Sequence, residues 1–158
     1  MINEKPRIDG ALIFFTPVPA TLSMPFKLEH FALNVSDPAA MAAWYVKNLG
    51  LKIVRRVEGP HHTHFLADYS GTIMIEIYNN PPGEVPPYAD LNPLQLHLAF
   101  VSDDPSRDSD TLLMAGASLV EELHLPDGSH LVMMRDPWGL PIQFCKRSNP
   151  MLMNSSPD

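Results

Sequence analysis

The segment Leu28-Glu29-His30-Phe31-Ala32-Leu33-Asn34-Val35-Ser36-Asp37-Pro38 reappears as Gln95-Leu96-His97-Leu98-Ala99-Phe100-Val101-Ser102-Asp103-Asp104-Pro105, with a constant offset of 97 − 30 = 67 residues. His, Ala, Asp and Pro coincide in the two copies. A duplication on this scale restricts the chain to folds built from two like units. Each Asp-Pro predicts a helix start, with Asp37 or Asp104 as N-cap and Pro at the first helical position, where its missing N–H costs nothing. The predicted helices run from about Pro38 to Asn48, stopping at Gly50, and from about Pro105 to Ala115, stopping at Gly116. Three β-rich runs follow each helix: 52–57, 63–68 and 72–78, then 118–124, 130–135 and 141–146. Similar turns, Asp68-Tyr69-Ser70-Gly71 and Asp136-Pro137-Trp138-Gly139, join the last two runs of each copy.

The expected fold is therefore α+β, two tandem βαβββ modules forming a curved mixed β-sheet cup with helices on the outside. Module one spans 25–79, a Pro-rich linker 80–93, and module two 94–147. Residues 1–24 lack periodicity and read as a weakly structured extension, and 148–158 as a flexible tail. A chain of 158 residues with 45% apolar content supports one packed domain, or two small units sharing a core. A net charge of −7 with 11 Lys and Arg excludes the clustered positive charge that nucleic acid requires. The longest early apolar run, Ala11 to Phe15, is too short for a membrane span or a convincing signal peptide. The single cysteine, Cys145, rules out an internal disulfide framework and fits a reducing, cytoplasmic setting.

Strand alternation shows which polar residues share a face. His97 sits between Leu96 and Leu98, Glu76 between Ile75 and Ile77, and Gln143 between Ile142 and Phe144; His30 is followed by Phe31. One face of each strand is thus apolar, and the other presents His, Glu, His and Gln. The separations match, 76 − 30 = 46 and 143 − 97 = 46, so each copy places one metal-capable residue on its first strand and one on its last. If the copies pair about a pseudo-twofold axis, these strands aim all four groups at one point. Two imidazoles, a carboxylate and an amide oxygen suit a borderline divalent ion with room for water: Fe, Mn, Ni, Co or Zn. Calcium and magnesium prefer all-oxygen shells.

His30 with Val35, Asp37 and Leu49-Gly50-Leu51, together with Asp136-Pro137-Trp138-Gly139-Leu140-Pro141-Ile142-Gln143, resemble the motifs of the vicinal oxygen chelate superfamily, which includes glyoxalase I, methylmalonyl-CoA epimerase, extradiol dioxygenases, and fosfomycin- and bleomycin-resistance proteins. The resemblance covers about residues 26 to 147. It implies metal ligands at His30, Glu76, His97 and Gln143, a small-molecule substrate, a homodimer, and a site closed either within one chain or across the dimer. Glyoxalase-like members commonly carry Glu where this chain has Gln143. An amide can ligate but cannot act as a base, which leaves Glu76 as the catalytic proton acceptor. Many glutathione-using members carry Arg near the first-strand His, where this chain has Asn34. The resemblance implies a metal-dependent lyase or isomerase acting on a vicinal-oxygen carbonyl substrate through an enediolate. The two-His, one-carboxylate set also fits an Fe(II) extradiol-type dioxygenase. A third reading is a non-catalytic ligand-sequestering resistance protein.

Other polar residues divide into substrate candidates and ordinary structure. Tyr78 and Cys145 lie two residues beyond Glu76 and Gln143, hence on the ligand face, and Tyr78 is a substrate-orienting candidate. His124, His130 and Asn34 are further substrate-contact candidates. His61, His62 and His64, beside a Gly-Pro turn, read as solvated loop. Trp44 and Tyr45 read as helix packing, and Trp138 as a turn residue.

Overall fold

The computed structural model describes residues 26–81 and 83–151. The N-terminal extension and the tail beyond residue 151 lie outside the described residues. The elements run β1 (His30–Asn34), α1 (Pro38–Leu49), β2 (Lys52–Arg56), β3 (His64–Ala67), β4 (Met74–Tyr78), β5 (Leu98–Val101), α2 (Pro105–Met114), β6 (Ser118–His124), β7 (His130–Arg135) and β8 (Pro141–Lys146). They form two four-stranded mixed sheets of the same order, β1-β4-β3-β2 and β5-β8-β7-β6. In each, the first strand pairs in parallel with the last, and the rest pair antiparallel. The duplication extends to a β-bulge in the second strand of each copy, between Ile53 and Arg55 and between Leu119 and Glu121. The α+β architecture of two tandem modules is thus as the sequence predicts.

The local reasons are the expected ones. The Asp37 carboxylate accepts from Ala40 N at 3.0 Å and that of Asp104 from Arg107 N at 3.2 Å, each capping a helix whose first residue is Pro. Pro38, Met41, Ala42 and Tyr45 are buried at helical spacing and face the sheet beneath α1; Pro105, Ser109 and Leu112 do so for α2.

The two sheets share a core. Leu98 and Phe100 of β5 and Trp44 and Leu49 of α1 pack against both of its buried clusters. Trp44 Nε1 donates to Ala115 O at 2.9 Å, and the buried Tyr45 hydroxyl donates to Asp136 Oδ2 at 2.8 Å, tying the first helix to the second module. The Pro-rich linker is fastened as well. Tyr88 is buried and donates to Asn34 O, while the Arg135 guanidinium donates to the carbonyls of Tyr88, Gly139 and Leu91. The predicted tail begins pinned, with Ser148 N donating to Ser129 Oγ at 3.1 Å. His64 also differs from expectation: it is a buried strand residue, 3% exposed, with Nδ1 at 2.7 Å from His62 O.

Among the described residues, no strand of one sheet pairs with a strand of the other. A single continuous sheet lined by both first and last strands is therefore not formed within one chain. Because both sheets turn their helix-covered faces toward the shared core, their polar faces turn away from it.

Candidate metal centre

His30 pairs with Met74 across the parallel β1–β4 ladder, and Glu76 lies two residues beyond Met74, so the two side chains are diagonal neighbours on one face. Their ligand atoms meet, with His30 Nε2 3.3 Å from Glu76 Oε2. The other ring nitrogen, His30 Nδ1, lies 2.9 Å from Glu29 Oε2. A carboxylate only accepts, so Nδ1 donates to Glu29, and Nε2 is the ring nitrogen that faces Glu76. A proton on Nε2 or a bound cation satisfies the facing carboxylate, and a metal ion would take the place of that proton. An edge of Phe65, the register partner of Glu76, packs on the His30 ring with centroids 6.0 Å apart, so one wall of the site is apolar.

The second copy repeats the diagonal. Leu98 pairs with Ile142, so continuing the register sets the preceding residue, His97, beside Pro141 and diagonal to Gln143. His97 itself lies one residue before β5, with its Nδ1 2.8 Å from Pro93 O; it is not on the strand as its sequence position suggested. The carbonyl again fixes the proton on Nδ1 and leaves Nε2 free. Gln143 Oε1 accepts from Cys145 Sγ at 3.1 Å.

These half-sites do not merge inside one chain. Among the described residues, the one group of three or more His, Cys, Asp or Glu whose ligand atoms lie within 4.8 Å of one another is Glu122, His124 and His130. A cavity of about 180 Å³ is lined by Phe31, Ile75, Leu98 and Phe100, residues of the core-facing side. A larger one, about 430 Å³, opens beside Gly50, Tyr69 and Val101. Neither is lined by His30, Glu76, His97 or Gln143. The shared core explains this, since it points the two polar faces in different directions.

The substrate candidates fall in different places. Tyr78 shares the face of Glu76 at the end of β4. Asn34 is occupied by structure: its amide donates to Asn80 O and Gly83 O and accepts from Asn80 N, so it moors the start of the linker. His124 pairs with His130 at the end of the β6–β7 ladder. Both lie on the same face as Val132 and Phe144, the face covered by α2, whereas Gln143 is on the opposite face. Hydrogen bonds from His130 and Ser106 hold the Glu122 carboxyl below the usual carboxylate range. Glu29, Phe65 and Glu122 went unnoticed in the sequence. A carboxylate next to His30 was the available sign for Glu29, while Phe65 needed the β3–β4 register.

A family model described as the Glyoxalase/Bleomycin resistance protein/Dioxygenase superfamily matches residues 27–144. The chain belongs to this superfamily. Solved structures of the superfamily fold resemble it at low identity. TnmS3, an antibiotic binding protein from Streptomyces sp. CB03234, is 20% identical with a TM-score of 0.60, covering 78% of this chain and 96% of its own. A lactoylglutathione lyase from Agrobacterium tumefaciens is 22% identical with a TM-score of 0.56, covering 77% and 93%. A glyoxalase/bleomycin resistance protein/dioxygenase family enzyme from Burkholderia phytofirmans PsJN is 16% identical with a TM-score of 0.62, covering 76% and 98%. No curated protein matches the chain. Superfamily members thus include both enzymes and binding proteins on this fold.

The residues fit the divalent metal that the superfamily often binds. Two ligands about 2.1 Å from an ion and 3.3 Å apart subtend roughly 105°, close to tetrahedral, which suits the His30–Glu76 pair. In both His30 and His97 the nitrogen away from the open face is held by an acceptor, the arrangement that orients a ligating imidazole.

Proposed function

We propose that the protein is a metal-dependent lyase or isomerase acting on a small carbonyl substrate with vicinal oxygens. Its site takes His30 and Glu76 from one copy, with His97 and Gln143 from a second copy of the chain. The observation that carries this reading is the 3.3 Å approach of His30 Nε2 to Glu76 Oε2, with His30 Nδ1 held by Glu29. Such a pair is half of a ligand set, and its complement exists on the other module's outward face. When bound, the divalent ion would polarise the substrate oxygens and stabilise negative charge developing on them. Glu29 orients His30, Phe65 excludes water from one side, and Glu76 accepts the proton α to the carbonyl. Gln143, an amide, ligates without competing for that proton.

Assembly from two copies is supported by apolar exposure near the unpaired edges: Phe26 and Leu28 before β1, Leu94 before β5, and Val101 on the open face of β5 are all exposed. No helix among the described residues is long and apolar enough to cross a membrane. The buried, unpaired Cys145 supports a reducing, cytoplasmic setting.

The test is metal content together with proton exchange. Purified protein should carry a stoichiometric divalent metal that His30→Ala/His97→Ala loses, and it should exchange substrate α-protons with solvent across a panel of vicinal-oxygen carbonyls. Glu76→Gln should abolish exchange. Absence of exchange at saturating metal would remove the lyase or isomerase reading. Oxygen uptake with catechols after anaerobic iron loading would replace it with a dioxygenase. Tight ligand binding unchanged in Glu76→Gln would replace it with a sequestering protein.

A further inference from the structure

At the closed end of the β6–β7 hairpin, His124 and His130 face each other as a cross-strand pair, and Glu122 lies one row back on the same face. The imidazole rings stack with centroids 4.1 Å apart and planes 19° from parallel. Both Nε2 atoms approach the same carboxylate oxygen, Glu122 Oε1, at 2.7 Å from His130 and 3.7 Å from His124. Ser106 Oγ, in the first turn of α2, donates to that oxygen at 3.0 Å and so fixes it. The hairpin turn is itself held: Asp127 accepts from Ser129 N, Ser129 Oγ and Ser148 Oγ.

We propose that Glu122, His124 and His130 form a second divalent-cation site, of the zinc class, separate from His30, Glu76, His97 and Gln143. The face decides the separation, since this trio lies on the side of the sheet that α2 covers and Gln143 lies on the other. The donor chemistry decides the class. Two imidazoles and one carboxylate are the ligands of three-residue zinc sites, in which water takes the fourth position; the ion would displace the Nε2 proton that His130 shares with Glu122, which passes to Nδ1 or to solvent. The stacked rings bring both Nε2 atoms to one carboxylate oxygen, a geometry suited to one shared cation. Preorganisation comes from Ser106, which orients the carboxylate, and from the packing of His130, whose side chain is 13% exposed. His124 is 73% exposed and has room to turn its Nε2 from 3.7 Å into coordinating range. Lys146, opposite His130 on β8, is the positive residue that the register sets beside the trio, and its exposed chain can extend away. A cation held here would clip the end of the hairpin to the start of α2 through Ser106.

The full chain, stripped with chelator and titrated with Zn²⁺, gives the test. His124→Gln/His130→Gln should bind one equivalent per chain fewer than the natural protein, and His30→Ala/His97→Ala should still bind one. Glu122→Gln, which keeps a Ser106 partner and preserves the fold, should weaken that equivalent at least tenfold. In the His30→Ala/His97→Ala protein, added Zn²⁺ should slow amide hydrogen exchange in the 118–135 hairpin. Unchanged stoichiometry in His124→Gln/His130→Gln would overturn the site, as would an unprotected hairpin. If the His30 centre takes no zinc, the natural protein should bind a single equivalent that His124→Gln/His130→Gln removes. That result would sustain this site while counting against the other.

Discussion

Asp136 is the residue whose chemistry most depends on burial. Its Oδ1 accepts from Trp138 N and Leu140 N, both at 2.9 Å, and its Oδ2 accepts from the Tyr45 hydroxyl, yet removal from water pushes its pKa up from 3.8 to about 6. The folded protein holds this proton more firmly than the unfolded chain does. Its contribution to stability is therefore complete below pH 3.8 and lost as the pH rises through about 6. A rise of this size corresponds to about 3 kcal/mol. Asp136→Asn keeps the two bonds that Oδ1 accepts, while its amide N–H donates to the Tyr45 oxygen in place of the bond that Tyr45 now donates. It should gain stability over the natural protein as pH rises from about 4 to 6.5 and hold that gain above. Urea denaturation at a series of pH values measures the difference, and a pH-independent difference would contradict the assignment. At the other polar site, Glu29 bonds the far nitrogen of His30, and residues in that role tune ligand orientation. Glu29→Gln should lower metal affinity about tenfold by isothermal titration while leaving thermal stability unchanged. Equal affinity would mean that Glu29 is a surface carboxylate and no more.

The two β-turns that close the last hairpin of each module look alike in sequence but carry different loads. Gly139, at φ 84°, has the backbone and Cβ of Ala89 at 2.7 Å from where its own Cβ would sit, whereas Gly71, at φ 65°, has nothing within 4 Å. Gly71→Ala therefore meets only the left-handed backbone penalty, about 1–2 kcal/mol. Gly139→Ala adds a collision with the linker backbone that Arg135 and Tyr88 hold in place, and should cost about 3 kcal/mol or more. Urea midpoints at constant m-value compare the two, and equal costs would contradict the close approach. This difference also marks where the sequence stops being legible. Asp37-Pro38 and Asp104-Pro105 announce both helices because an N-cap and a proline act locally. The strand runs are equally local, being alternations of apolar and polar residues. The linker was read as a Pro-rich spacer because its anchors, Arg135 and the Asn34 carbonyl, lie 40 or more residues away. His97 fell outside its strand because the turn at Pro93 captures its Nδ1, a contact that spacing does not encode. His64 was read as loop, although β3 places it on the core face.

At the scale of the molecule, sequence periodicity specified two like modules but not how they dock. The matching separations of His30 from Glu76 and of His97 from Gln143 identified the diagonal pair within each module. They could not show that Leu98 and Phe100 would join both core clusters and turn the two polar faces apart. A single chain therefore presents two pairs of candidate ligands, each with its histidine held through Nδ1, which the proposed function completes across a twofold pair of chains. Subunit mixing tests this directly, in a His124→Gln/His130→Gln background so that only the His30 centre is counted. His30→Ala and His97→Ala chains, each expected to bind no metal alone, are unfolded together and refolded. Half of the resulting dimers are mixed and each of these regains one intact site, so bound metal should recover to about a quarter of the natural level. Metal content that stays at zero in the mixture, while both variants refold as dimers, would contradict a shared centre.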